Sequence, residues 1–156
     1  RASVVIPAGE YAMPNGIEVS PDGKTLYVNN TWFAPGENYV WAYDIKADGS
    51  LEKKRKFAVL NLTPEVLSAA DPTQRFDSRA DGMTIDSEGR LYVATLSGVQ
   101  VFDKSGTYIG TIWLPQYPVS CTFGGKNLDQ LYVVGESSAW VIPTKAKGFR
   151  HPAGLN

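Results

Sequence analysis

One motif that occurs three times along the chain constrains its fold more than any other feature. Each copy has a short apolar run, then a turn rich in Gly, Asp or Asn, then a strand that begins Leu-Tyr-Val. The copies cover residues 14–28, 80–93 and 119–133. Leu91 and Leu131 are 40 residues apart, and Leu26 and Leu91 are 65 apart. Several short strands at a spacing of about 40 residues are typical of β-propeller blades.

The sequence therefore predicts an all-β chain: one partial β-propeller over residues 1–156. We expect about three four-stranded blades, at 14–60, 80–113 and 119–143, with one helical insertion at 61–79. Within the insertion, Thr63 fits a helix N-cap and Pro64 the first helical position, which predicts a short helix over 63–70. Such an insertion can reach the face where propellers bind ligands, so it is a candidate lid.

Charge excludes one class of partner. The chain has 15 Lys and Arg against 16 Asp and Glu, for a net charge of -1. Because this balance gives no broad positive field, we do not expect nucleic acid as a partner. A local basic run over residues 53–56 lies between a turn and an apolar strand. We interpret it as a solvated turn and an edge strand, where lysines discourage edge-to-edge pairing.

The chain has a single cysteine, Cys121, so no internal disulfide can form, and we expect this residue to be a small buried apolar one. No apolar stretch approaches the ~20 residues that span a bilayer, and the start of the chain lacks a secretory apolar region. We expect a soluble protein, with the cytoplasm favoured over the periplasm or secretion. The chain starts with Arg1 and a strand-like run, which is typical of a processed or partial chain.

Asn15 and Asp81 are the strongest candidates for chemistry. They occupy the same repeat position, directly before the glycine that opens the first strand of a blade. Since the first strand of a blade lines the central channel, equivalent positions on neighbouring blades converge. Amide and carboxylate oxygens are ligands that Ca²⁺ and Mg²⁺ prefer, and a bound cation can polarise a carbonyl. The alternative is a turn role, because Asn and Asp are common before Gly in turns.

Several motifs together resemble one known family. They are Pro-Asn-Gly-Ile at 14–17, Ser-Pro-Asp-Gly-Lys-Thr-Leu-Tyr-Val at 20–28, Ala-Asp-Gly-Met-Thr-Ile-Asp at 80–86, Gly-Arg-Leu-Tyr-Val-Ala at 89–94, and Phe-Gly-Gly at 123–125. This combination is similar to the C-terminal half of the senescence-marker-protein/gluconolactonase family, which includes regucalcin and sugar lactonases. The resemblance implies a six-bladed propeller with one catalytic divalent metal, and family ligands that correspond to Asn15 and Asp81.

From this resemblance we expect a metal-dependent hydrolase of lactones or related esters, with Ca²⁺ as the favoured ion and Zn²⁺, Mn²⁺ or Mg²⁺ as alternatives. The metal polarises the carbonyl, and Asp81 assists the attacking water. A third ligand, a Glu, and further substrate-binding residues belong to the family's first half and have no counterpart here. The predicted partners are therefore that missing half, or a second copy, and a small lactone or ester. The alternative function is a non-catalytic propeller portion that binds a ligand or calcium.

Two further residues are predicted to contact substrate. Asn30 and Trp32 lie where the second strand of the first blade ends, and they could line the substrate mouth or make ordinary loop contacts. No nucleophile is predicted, because no Gly-x-Ser-x-Gly motif is present and the only histidine, His151, lies in a terminal polar segment. Glu18 and Asp86 are assigned to packing or turns.

Overall fold

A computed structural model describes residues 2–31, 38–69 and 77–150. These residues form three antiparallel sheets, and each strand pairs with its neighbours in the sequence. The predicted all-β fold with three blades is confirmed. The first sheet contains β1 (Pro14–Val19), β2 (Thr25–Asn30), β3 (Tyr39–Ile45) and β4 (Leu51–Val59); the second contains β5 (Met83–Ile85), β6 (Leu91–Thr95), β7 (Gly98–Phe102) and β8 (Tyr108–Ile112); the third contains β9 (Pro118–Gly124), β10 (Gln130–Gly135) and β11 (Ala139–Pro143).

The third sheet has three strands within the described part of the chain, and they end at Pro143, where the third predicted blade also ends. Residues 144–150 run instead across the ends of the second and third sheets. Gly148 forms an isolated antiparallel bridge with Asp86 and donates its backbone N–H to the Leu128 carbonyl at 2.8 Å. The Ser87 N–H donates to the Lys147 carbonyl at 2.8 Å. Because these hydrogen bonds fix the segment against two sheets, it does not return as a fourth strand.

The helix of the insertion begins as predicted and ends early. Helix α1 covers Pro64–Leu67, and the Thr63 side chain accepts a hydrogen bond from the Val66 N–H. The Ala69 N–H donates to the Val66 carbonyl at 3.2 Å, three residues back, which closes the last turn before the predicted end at residue 70. Within the ranges that the structure describes, no helix is long and apolar enough to cross a membrane.

Buried apolar clusters lie between adjacent sheets. One joins the first and second sheets, and a second joins the second and third sheets. A third cluster covers the outer face of the first sheet, where Ile6 and Tyr11 of the N-terminal segment pack on Leu26, Val28 and Tyr43. Inner strand β1 contacts β5, and β5 contacts β9. The sheets therefore stack face to face with their first strands side by side, as blades do around a channel.

The basic run lies on β4, the outer edge strand of the first sheet, as predicted. The register of the β3–β4 pairing shifts at Lys53, which adopts a φ of 53°. Arg55 and Lys53 pair with Asp44 at 2.7 and 3.2 Å, and Lys54 pairs with Glu10 at 2.7 Å. The positive charges of the run are thus largely matched by carboxylates of this chain. Cys121 is buried, as predicted.

Candidate metal and active site

The first strands of the three sheets approach one another so closely that glycine is needed at two positions. A Cβ added to Gly16 would lie 2.3 Å from the Asp81 carbonyl oxygen, and one added to Gly82 would lie 2.2 Å from Ser120 Oγ. The Gly82 N–H also donates to the Val119 carbonyl at 2.9 Å. The residues that precede the two glycines, Asn15 and Asp81, are therefore held at one end of neighbouring inner strands.

The structure brings the Asn15 and Asp81 side chains together. The Asn15 amide Nδ2 donates to Thr31 Oγ1 at 2.9 Å, and the same amide lies beside the Asp81 carboxylate. Partial burial raises the pKa of Asp81, and hydrogen bonds from the Gly82 N–H and the Asn15 amide offset part of that rise. A carboxylate with a raised pKa is suited to accepting a proton, and its oxygens are of the kind that hard cations bind.

Two residues that the sequence analysis missed form hydrogen bonds to the backbone beside this pair. Asn29 is fully buried; its Nδ2 donates to the Asp81 carbonyl at 2.7 Å, and its Oδ1 accepts from the Gly16 N–H at 2.8 Å. Thr31 Oγ1 donates to the Ala80 carbonyl at 2.5 Å. The available signal was a polar Asn-Asn-Thr run that ends the apolar strand β2, directly opposite the start of β1.

The loop that leads into Asp81 has a constrained backbone. Arg79 adopts a φ of 46°, a left-handed conformation that is uncommon for residues other than glycine. Asp77 Oδ1 accepts the Arg79 N–H at 2.7 Å, and the Tyr117 hydroxyl donates to the Arg79 carbonyl at 2.8 Å. Burial, and to a lesser extent the Asp81 charge, raises the pKa of Tyr117 to about 12, so this hydroxyl keeps its proton. Hydrogen bonds to both the N–H and the carbonyl of Arg79 thus fix the backbone two residues before Asp81.

Of the other candidate residues, Asn30 lies opposite Pro14 on the neighbouring strand, next to Asn15. Asn30 is 2% exposed and its Oδ1 accepts from the Met13 N–H at 2.9 Å, so the amide oxygen is engaged within the fold. Trp32 and His151 lie outside the described residues. The assignment of Asn30 and Trp32 to substrate binding stays a prediction.

Asp86 has the turn role that the sequence predicted. Its fully buried carboxylate accepts the N–H groups of Glu88 and Arg90 at 2.9 Å, the Arg90 guanidinium at 2.6 Å and the Tyr92 hydroxyl at 3.1 Å. Glu18 Oε1 accepts the Val19 N–H at 2.9 Å, close to its own backbone.

The donor set of the pair fits a hard divalent cation in kind. Because Asn15 Nδ2 donates to Thr31 Oγ1, the amide oxygen is the atom of Asn15 that would bind a cation next to the Asp81 carboxylate. Two such ligands are fewer than the six to eight oxygens that Ca²⁺ takes. Over the described ranges, no group of three or more His, Cys, Asp or Glu side chains could hold a metal ion. Further ligands would have to come from water, from substrate or from chain beyond the described residues.

Stacked antiparallel sheets with converging first strands define the class: this is part of a β-propeller whose central end carries an amide and a carboxylate. The chain belongs to the SMP-30/gluconolactonase/LRE-like family, whose model matches residues 2–137. The three sheets match part of the six-bladed propeller of that family.

Relatives with names and solved structures agree with this membership. A gluconolactonase of Zymomonas mobilis is 31% identical over 146 residues, covering 92% of this chain and 38% of that protein. Regucalcin of Homo sapiens is 44% identical over 123 residues, covering 76% of this chain and 36% of that protein. The structure of a gluconolactonase from Xanthomonas campestris superposes with a TM-score of 0.65 at 33% identity, covering 83% of this chain and 37% of that one. This chain therefore spans about two fifths of the length of these relatives.

Proposed function

We propose that the chain contributes one side of the active site of a metal-dependent hydrolase of lactones or related carboxylic esters. The observation that carries this proposal is the contact between the Asn15 amide and the Asp81 carboxylate at the converging ends of β1 and β5. Relatives named gluconolactonase, lactonohydrolase and pentonolactonase support the reaction class.

The two residues have separate tasks in this proposal. Asn15 Oδ1 and the Asp81 carboxylate are metal ligands. Because both ligand atoms are oxygen, Ca²⁺ is the favoured ion, and Zn²⁺, Mn²⁺ and Mg²⁺ are the alternatives. When bound, the cation supplies Lewis-acid polarisation of the substrate carbonyl. Asp81 also serves as the general base: its carboxylate accepts a proton from the attacking water. Asn29 and Thr31 hold the backbone on both sides of Asp81.

The remaining ligands and substrate contacts belong, in this proposal, to the other part of the propeller. That part is either the rest of a longer protein or a second copy of the chain. Asn30 and Trp32 are proposed to line the substrate mouth beside the pair.

One observation favours a second candidate function. Among the residues described, no group of three or more His, Cys, Asp or Glu side chains could hold a metal ion, and the chain spans about two fifths of the length of its relatives. A propeller portion that binds calcium or another ligand without catalysis would have this composition.

The test measures metal binding and lactone hydrolysis on the purified chain and on the longer protein, where one exists, with Ca²⁺, Zn²⁺ and Mn²⁺. We expect Asn15→Ala and Asp81→Ala to weaken metal binding at least tenfold, and Asp81→Ala to lower kcat/KM about 100-fold or more. Asn61→Ala, an exposed asparagine before α1, is the matched control. Metal binding and hydrolysis that neither substitution changes would overturn the assignment. Metal binding through both residues without hydrolysis would favour the second candidate.

A further inference from the structure

A pocket lies on the same end of the second sheet as Asp81. It is formed where the β6–β7 turn meets the segment that connects the outermost strand β8 to the innermost strand β9. Its volume is about 440 Å³, within the range of small-molecule sites. We call it the Trp113 pocket; its walls include Leu96, Ser97, Trp113, Leu114, Gln116 and Tyr117.

The pocket is joined to the candidate site at its inner end. The connecting segment runs from Trp113, next to β8, to Tyr117, next to β9, so the pocket extends from the rim of the sheet towards the channel. Tyr117 lines the pocket, and its hydroxyl donates at 2.8 Å to the carbonyl of Arg79, two residues before Asp81. Tyr117 is therefore shared between the pocket wall and the loop that carries Asp81.

The chemistry of the walls favours an uncharged apolar occupant. None of the described residues that line the pocket carries a charge. Gln116 Oε1 accepts a hydrogen bond from Ser137 Oγ at 3.1 Å, and Ser97 Oγ donates to the Asn61 carbonyl at 3.5 Å, so the Gln116 amide oxygen and the Ser97 hydroxyl proton already have partners. Trp113 is 73% exposed, which leaves its indole for contact with a ligand.

We propose that the Trp113 pocket binds the uncharged alkyl or aromatic substituent of a lactone or ester whose carbonyl reaches Asp81. The inference rests on the proposed function and narrows its substrate class. Against Leu96, Trp113 and Leu114 the hydroxyl groups of a sugar lactone would exchange water for carbon, whereas an apolar substituent removes both surfaces from water.

The test uses a probe that cannot be hydrolysed. 2-Heptylcyclopentanone has a carbonyl, a five-membered ring and an alkyl chain but no ester bond, and cyclopentanone lacks the chain. With EDTA present, we expect the heptyl compound to bind at least tenfold more tightly than cyclopentanone. Amide chemical shifts in the NMR spectrum should change at residues 96–98, 113, 114, 116 and 117.

Two variants and one control locate the binding. Trp113→Ala removes the exposed indole, and Gln116→Glu places a charge in the pocket with little change in shape; each is expected to weaken heptyl-probe binding about tenfold. Ile109→Ala is the control, because Ile109 is also an exposed apolar residue of the same sheet, at 55%, but lies outside the pocket. Equal binding of the two probes, or heptyl-probe binding that neither pocket variant weakens, would overturn the proposal.

Asp81→Asn separates this proposal from the proposed function. It should reduce metal binding and leave probe binding in EDTA unchanged. If the probe binds as expected but metal binding does not depend on Asn15 and Asp81, the proposed function fails and the pocket stands as an apolar site. If metal-dependent hydrolysis depends on Asp81 but the probe does not bind, the pocket assignment alone fails.

Discussion

Asn29 connects the first blade to the second through its side chain. Its Nδ2 donates to the main-chain carbonyl of Asp81 at 2.7 Å, while its Oδ1 accepts from the Gly16 N–H at 2.8 Å. Asn29 is fully buried, so neither bond can be replaced by bulk water. One carboxamide thus fixes the backbone beside both proposed metal ligands, although it contacts neither of their side chains in these two bonds.

Asn29→Ala should destabilise the chain by about 3 kcal/mol, because it leaves a buried N–H and a buried carbonyl without partners, each worth about 1–3 kcal/mol. Urea unfolding measures the change. Asn61→Ala, at an exposed position, should alter the free energy of unfolding by less than about 0.5 kcal/mol. Equal stability of the two variants would mean that the Asn29 bridge does not hold the blades together.

Gly16→Ala tests the close approach of the inner strands. The new Cβ would lie 2.3 Å from the Asp81 carbonyl oxygen and 2.6 Å from Asn29 Nδ2, neither of which can move freely. We expect a loss of about 3 kcal/mol in thermal or urea unfolding, together with weaker metal binding. In Gly110→Ala, on strand β8, the added Cβ meets no atom within 4 Å, and this control should unfold like the parent chain. A Gly16→Ala chain as stable as the Gly110→Ala chain would contradict the observed contact.

Asp81→Asn should stabilise the metal-free chain at neutral pH and destabilise the metal-bound one. Burial raises the pKa of Asp81 above its ordinary value of 3.8, so the charged carboxylate opposes folding at any pH above the folded-state pKa. The cost lessens as the pH falls through the folded-state pKa and is gone below 3.8. The stability gained by the variant in EDTA should therefore be greatest near neutral pH and vanish in acid.

Urea unfolding between acid and neutral pH, with EDTA or with Ca²⁺, measures the difference in stability between Asp81→Asn and the parent chain in both conditions. In Ca²⁺ the parent chain should be the more stable of the two, since metal that binds only the folded state adds stability. A variant that is more stable than the parent chain in both EDTA and Ca²⁺ would contradict a metal role for Asp81.

Cys121 should be inert in the folded chain. It is 5% exposed, and burial raises the pKa of its thiol to about 12. Because the thiolate is the reactive form, alkylation near pH 8 should be about a thousandfold slower than in urea. Mass spectrometry of the chain after treatment with iodoacetamide measures the modification of this single cysteine. Cys121→Ser, which has no thiol, is the control and should not be modified. Modification of the native chain as fast as the unfolded one would show that β9 is open to solvent.

Local chemistry made parts of this fold predictable. The Thr63 cap, the edge position of β4 and the turn role of Asp86 each depend on residues close together in the sequence, so residue type and spacing were enough to predict them. The early end of α1 and the position of residues 144–150 across two sheets were not predictable. The end of α1 depends on the hydrogen bond from the Ala69 N–H to the Val66 carbonyl. The path of the last segment depends on hydrogen bonds between residues 147–148 and loops about 20 and 60 residues earlier.

The sequence by itself determined the repeat, the blades and the candidate pair, because equivalent positions in a repeat fold to equivalent places. Only the tertiary structure decided what surrounds that pair. Asn29, Thr31 and Tyr117 reach the Asp81 loop across separations of 38–52 residues, through contacts that exist only once the sheets have stacked. A side chain's partner in another blade depends on strand register and on how closely the backbones approach, and no local pattern of residues contains that information.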